Sequence, residues 1–202
     1  MKVSHRTQAD RTAATRAALV TAGRKLFAEH GYAGVGTETL VRDAGVSRGA
    51  LYHQFGDKKE LFAEVLADVE VGVAQRIANA MPGGSEGADL VTVMTLALRA
   101  WLDACESPDV QRIVLIDGPS VLGWERWRAI CQHHVLGLVE SVLTQAAASG
   151  AMLPLPIRPL AHLLLAVADE AALYLNASAD PTAAREDIEE IVSTLIRGLT
   201  VM

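Results

Sequence analysis

Cysteine is nearly absent from these 202 residues: Cys105 and Cys131 are the two, and they form no C-x-x-C pair. That excludes a disulfide-stapled scaffold and a zinc finger. Both read as small apolar residues of a reducing, cytoplasmic compartment. Aromatic residues are also scarce, at 4%. Alanine and leucine dominate instead, and both favour helix. No apolar run approaches the roughly 20 residues of a membrane span; the run at 162–168 is interrupted by Asp169 and Glu170. The polar start of the chain, with Lys2, His5 and Arg6, predicts a tail rather than a signal peptide. Catalytic motifs are missing as well. Ser120 lies in GPSVLG, not G-x-S-x-G, and follows no predicted strand. There is no G-x-G-x-x-G, Walker loop or H-E-x-x-H. Cys105, Cys131, His133 and His134 have no recognised ligand spacing. The expectation is a protein that is not an enzyme, with no cofactor, no metal and no membrane.

Positive charge is in deficit overall, with a net charge of −6, which by itself points away from nucleic acid. The two parts of the chain differ from that average. Residues 1–60 hold ten Lys/Arg against six Asp/Glu, net +4, and residues 61–202 hold eight against eighteen, net −10. A basic head on an acidic body fits a DNA-binding unit joined to a part that avoids DNA.

What is present is one dense stretch, TETLVRDAGVSRGALYHQFGDKKELF, at 37–62. Leu40, Val41 and Ala44 are apolar at helical spacing, which predicts a short helix over 37–44. Gly45 suits the left-handed residue that ends it. Val46 reads as a buried plug. Ser47 is placed to cap a second helix, 48–55, by accepting from Gly49 or Ala50. Leu51 and Phe55 mark its inner face, and Arg48, Gly49, Tyr52 and His53 its outer face. Gly56 stops it. Asp57 and Glu60 look like a capping box for a third helix. Two short helices joined by a glycine turn make a helix-turn-helix, whose second helix enters the DNA major groove. Gly49 and Ala50 let its backbone approach DNA closely. Lys58 is expected at a phosphate, where its helix dipole also favours an anion.

The residues Leu26, Phe27, Gly31, Tyr32, Ala44, Gly45, Val46, Ser47, Gly49, Leu51, Tyr52, Phe55, Lys58, Leu61 and Phe62 together resemble the DNA-binding region of the tetracycline-repressor (TetR) family of bacterial regulators. The resemblance runs from about 12 to 66. It implies that a hydroxyl at Thr37 contacts phosphate, and that Ser47, Arg48, Gly49, Ala50, Tyr52, His53 and Lys58 touch phosphates or base edges. Val35 and Gly36 stand where the family often has Thr or Ser, which weakens the cap of the first short helix.

Further helices are predicted at 12–30, closed by Gly31, and at 58–81, linking head to body. Pro82-Gly83-Gly84-Ser85 is the clearest breaker. Beyond it come helices at 87–106, 108–117, 124–149, 158–177 and from Pro181 to about 199. Gly118-Pro119 is read as a break, and 152–157, with Pro154 and Pro156, as extended. The count is nine or ten helices and no sheet. The fold class is all-α: a helix-turn-helix domain at 1–57, with the motif at 37–55, and a helical domain at 58–202.

In the body, Leu164, Val167, Ala168, Ala171 and Leu175 leave the penultimate helix little polar face. Ile188, Ile191, Val192, Leu195, Ile196 and Leu199 stripe the last one. Pairing with a second copy as a four-helix bundle covers both, and the resemblance implies the same homodimer. Trp124, Trp127, Cys131 and His134 recur at i, i+3, i+7 and i+10, with Asp117 nearby and Trp101 on a neighbouring helix. Apolar walls with a few polar groups suit an apolar or amphipathic small-molecule effector. The resemblance implies a regulator, by family default a repressor, that binds a palindromic operator in double-stranded DNA as a homodimer and is released by its effector. The alternative is a DNA-binding regulator with no effector, whose body serves dimerisation or a protein partner.

Overall fold

The computed structural model describes residues 8–81 and 89–201. The N-terminal tail, the break at Pro82-Gly83-Gly84-Ser85 and the first residues of the predicted 87–106 helix lie outside the described residues. In chain order the helices are α1 (Gln8–Gly34), α2 (Thr37–Asp43), α3 (Arg48–Phe55), α4 (Lys58–Ala80) and α5 (Leu90–Cys105). A π-helix (Val110–Asp117), α6 (Gly118–Leu122), α7 (Trp124–Ala148), α8 (Ile157–Ala177) and α9 (Pro181–Arg197) follow. The fold is all-α. The sole β pairing among the described residues is an isolated antiparallel bridge from Met152 to Thr200. It gives the extended segment after α7 a partner, with the Leu153 N–H donating to the Leu199 carbonyl at 2.8 Å.

The chain forms two compact units. One is Met1–Glu70 with Pro108–Ile130; the other is Val71–Ser107 with Cys131–Met202. The expected boundary at 57/58 follows expected roles, whereas compactness groups 108–130 with the head.

The first unit has its core where α1, α2, α3 and the start of α4 meet. Leu19, Phe27, Leu40, Leu51, Leu61 and Phe62 are fully buried. Phe27, Tyr32 and Phe62 pack together, the first two edge-to-face with Phe62, with ring centroids 5.1–5.8 Å apart. The first run of α1 stops at Gly31, as the sequence predicts. That residue sits at φ 70°, ψ 165°, so it kinks the chain and a last turn follows to Gly34. Glycine is needed there for its backbone, since a Cβ would meet only the movable end of the Arg112 side chain. The predicted break at Gly118-Pro119 does not occur. Gly118 is right-handed helical at φ −49°, and Pro119 falls in the first turn of α6, where a missing N–H costs nothing. The break comes at Gly123, φ 84°.

In the second unit α5, α8 and α9 pack together, with Leu102, Ala161, Ala172 and Ile196 almost fully buried. Arg185 of α9 pairs with Asp103, with Glu106 at 3.0 Å and with Glu189 at 3.2 Å. Arg99 reaches Glu189 at 2.7 Å, completing a polar seam. Asp180 caps α9, accepting from the Ala183 N–H at 3.1 Å. The expectation that no segment is apolar enough for a membrane span needs correction. By length and composition alone, Ile157–Ala177 qualifies, since two acidic residues do not outweigh its leucines and alanines. A core helix of a soluble protein meets the same test.

Candidate nucleic-acid interface

The geometry of the helix-turn-helix follows from its local sequence. Helix α2 starts from Gly36, which offers no side-chain cap. It ends at Gly45, whose φ of 65° with open space around it marks a conformational requirement, not a steric one. The Val46 N–H then donates to the Val41 carbonyl at 3.0 Å. Val46 itself is half-buried, not the fully buried plug expected. The Ser47 hydroxyl accepts the Ala50 N–H at 3.2 Å and starts α3. Leu51 and Phe55 face inward, and the Gly56 N–H closes on the Tyr52 carbonyl at 2.9 Å. The Arg16 guanidinium covers the Phe55 ring at 4.7 Å.

Ser47, Arg48, Gly49, Tyr52 and His53 lie exposed on one outward face, with Ala50 half-buried beside them and Thr37 half-buried at the start of α2. Nothing but the Ser47 hydroxyl, at 3.9 Å, approaches a Cβ placed on Gly49. Such a face admits a close neighbour. Arg48 is held across it. Its guanidinium donates to Tyr52 Oη at 3.3 Å and to Glu38 Oε1 of α2 at 3.1 Å. It also lies 5.5 Å from the Tyr52 ring centroid.

Lys58, expected at a phosphate, has its amine engaged within the chain. Its Nζ donates to the Tyr32 carbonyl at 2.9 Å and to the Val35 carbonyl at 2.8 Å. It also stands 3.9 Å from the Tyr32 ring centroid. Burial pushes its amine below the usual lysine range. A cation at carbonyls ending α1 is favourable, and it ties the start of α4 to the chain just before α2. Half of the expected capping box is present: Asp57 Oδ1 accepts the Glu60 N–H at 2.8 Å. The Glu60 carboxylate does not return the bond. Arg126 takes both its oxygens, each at 2.6 Å, and holds its carboxyl below the usual range.

The segment 108–122 is joined to the head by polar contacts that no local pattern announces. Arg24 reaches Asp109 at 2.6 and 2.8 Å and Asp68 at 3.0 Å. Asp117, buried, accepts the Tyr32 N–H at 2.6 Å and Arg112 Nε at 3.3 Å.

The candidate effector residues divide between the two units. Asp117, Trp124 and Trp127 belong to the first; Trp101, Cys131 and His134 to the second. Trp127 is buried, with its indole N–H on the Val114 carbonyl at 2.8 Å. Trp124 is 59% exposed and stacks on Trp127 at 4.9 Å. Trp101 is buried and donates to the Ala168 carbonyl at 2.9 Å. Cys131 and His134 are half-buried, His134 edge-on to His133 at 4.6 Å. Among the described residues no group of three or more His, Cys, Asp or Glu is arranged to hold a metal.

The residues expected at a dimer interface also divide. Ala171, Leu175, Ile188, Val192 and Ile196 are buried within a single chain. Leu164, Val167, Ala168 and Leu199 are half-buried, and Ile191 and Leu195 are exposed. Leu163 and Tyr174 of α8 are more than 60% exposed.

Comparison with known proteins gives consistent matches. Residues 19–65 match the family model for bacterial regulatory proteins of the tetR family, and residues 91–199 the tetracyclin repressor-like C-terminal domain. The HTH-type transcriptional repressor AcnR of Corynebacterium efficiens is 30% identical over 192 residues, 93% of this chain and 95% of that protein. A TetR-family transcriptional regulator from Pectobacterium atrosepticum superposes with a TM-score of 0.80 at 31% identity, over 98% of this chain and 99% of that one. FadR from Bacillus subtilis, solved in complex with stearoyl-CoA, shares the fold at 16% identity, with a TM-score of 0.67 over 88% and 97% of the two chains.

Proposed function

The chain belongs to the TetR family of bacterial DNA-binding transcriptional regulators, and on that premise we propose that it is a cytoplasmic repressor that grips a palindromic operator as a homodimer and is released by an apolar or amphipathic effector. The observation that carries the DNA contact is the outward face of α3: a Ser47-capped helix showing Arg48, Gly49, Tyr52 and His53 with room for a close neighbour. Arg48, Tyr52 and His53 reach toward base edges; Thr37, Ser47 and the backbone at Gly49 and Ala50 take phosphates. Lys58, with its amine on two carbonyls, acts by placing the start of α4 beside the reading helix.

Dimerisation is supported by apolar side chains on α8 and α9 that a single chain leaves in water. Leu163, Tyr174, Ile191 and Leu195 are each more than half exposed. The single-chain burial sharpens the test. Leu195 is 54% exposed, so Leu195→Asp costs the isolated chain little, yet it buries a charge in a paired bundle. The expected result is a folded monomer in sedimentation. A folded dimer at the same concentration places the interface elsewhere. Ile196, at 1% exposure, is no substitute, because aspartate there breaks the monomer's own core.

The effector reading is supported by the stearoyl-CoA complex of FadR, whose ligand is amphipathic. One observation favours the second reading, a regulator with no small-molecule effector whose body serves dimerisation or a protein partner. The polar groups of Trp101, Asp117 and Trp127 already have partners inside the chain. A thermal-shift screen separates the two readings, because a ligand of the native state raises Tm. A hit that also lowers affinity for DNA supports the effector; a screen of apolar and amphipathic compounds in which no ligand changes DNA affinity supports the second reading.

A further inference from the structure

Within the DNA-reading face the acidic residue is the unexpected one. Glu38, in the first turn of α2, holds the guanidinium of Arg48 in α3 from across the turn, at 3.1 Å. Tyr52 completes the arrangement, with its hydroxyl at 3.3 Å from Arg48 and its ring beneath the guanidinium at 5.5 Å. The hydrogen bond to Tyr52 and the neighbouring Glu38 carboxylate both favour the charged guanidinium and raise its pKa. We propose that Glu38 is a positioning residue for sequence reading: it holds Arg48 across the outer face of α3, aimed at base edges and withheld from the phosphates of arbitrary DNA. The proposal rests on the DNA-binding reading above.

The physical case has three parts. Arginine discriminates sequence only when its planar fork meets a base edge in register, as in bidentate contact with guanine. A loose arginine in front of a duplex goes to the nearest phosphate, which raises affinity for every sequence alike. A partner that limits its rotation therefore favours the base contact over the phosphate contact. Glu38 is well suited to this. It stands on another helix, so it restrains Arg48 from the side rather than along α3. Its side chain and that of Arg48 are 71% and 60% exposed. In water such a pair is weak and screened by salt, so it does not lock the head in one state. As DNA closes on the face, water leaves and the attraction strengthens, just when register is decided.

A simpler role would be that of any carboxylate at a helix N-terminus, a small favourable interaction with the dipole of α2. The two roles separate experimentally. An operator is first selected from a random duplex pool by the wild-type dimer, and an unrelated duplex of equal length serves as the non-specific probe. If wild type enriches no sequence, the DNA-binding reading itself fails, and Glu38 is not at issue. Given an operator, the Glu38→Gln variant should bind the unrelated duplex roughly tenfold more tightly. Its non-specific salt slope should steepen by about one phosphate contact. The ratio of specific to non-specific affinity should fall accordingly. In an Arg48→Ala background the same change should leave that ratio unmoved. A dipole role alone lowers Tm and leaves the ratio intact. An unchanged or increased ratio in the Glu38→Gln variant overturns the proposal, as does a fall that persists without Arg48.

Discussion

Trp127→Ala should lower the stability of the unit that carries the reading head by about 3–5 kcal/mol, the range for truncating a buried tryptophan. The side chain is 6% exposed and its N–H is the partner of the Val114 carbonyl at 2.8 Å. It also fills a seat shaped for it: a Cβ on Gly118 would lie 2.6 Å from its Cδ1. Removing the indole leaves a cavity and an unpaired carbonyl in one step. Native proteins hold only about 5–15 kcal/mol in reserve. For a chain of this size each kcal/mol moves Tm by about 2–4 °C, so a fall of roughly 6–20 °C is expected in a thermal melt. A shift within two degrees of wild type would mean that the indole is not a core element. The consequence for function is direct. The sequence pattern places Trp127 among the candidate effector contacts. The structure makes the same substitution a threat to the head itself. Exposed Trp124, stacked on Trp127, is the cleaner probe of a ligand, because its truncation leaves no cavity.

Asp117→Ala should have the second largest effect, about 2–3 kcal/mol. Its carboxylate is the acceptor for the Tyr32 N–H at 2.6 Å, where the kink at Gly31 has freed that amide from the helix ladder. It also holds Arg112, whose guanidinium packs where a Gly31 Cβ would be. Hydrogen bonds to charged groups contribute about 1.5–3 kcal/mol, and a buried donor left without its acceptor adds a desolvation cost. Arg112 is partly exposed, so water recovers some of its share. Asp117→Asn keeps an acceptor oxygen and should retain much of the stability, which distinguishes a hydrogen-bond role from simple packing. Denaturant titration of the three proteins reads this order. Equal stability of Asp117→Ala and wild type would contradict it.

These two cases also show why some of the molecule was legible in its sequence and some was not. The caps and turns of the helix-turn-helix are built from contacts within five residues. Ser47 to Ala50, Asp57 to Glu60 and the left-handed glycines at 45 and 56 have signatures at fixed short spacing. So do the apolar faces of Leu40, Leu51 and Phe55. By contrast, Tyr32–Asp117 and Arg24–Asp109 each join residues 85 apart. Local periodicity has no means of pairing them, and the grouping of 108–130 with the head stayed hidden. Lys58 illustrates a third situation. Its place at a helix start is visible in the sequence, but the carbonyls of Tyr32 and Val35 that receive its amine are exposed only by the kink at Gly31. On α8 and α9 the periodicity marks apolar faces but does not say which flank meets the chain's own α5 and which stays exposed. Ile196 and Leu195, neighbours in sequence, differ from 1% to 54% in exposure.

The central claim is that the outer face of α3, presented twice by a homodimer, reads an inverted repeat. The most direct measurement is selection of duplexes from a random pool, followed by titration of the enriched sequence with wild type and with Arg48→Ala. The account predicts an inverted repeat whose half-sites are centred about one helical turn, roughly 34–36 Å, apart or a multiple of it. It predicts two protomers on each repeat. It predicts that Arg48→Ala relaxes the preference at one base pair in each half-site, at a cost of about 1–3 kcal/mol per contact. Enrichment of no symmetric sequence, or an Arg48→Ala variant with the same preference and affinity as wild type, would contradict it.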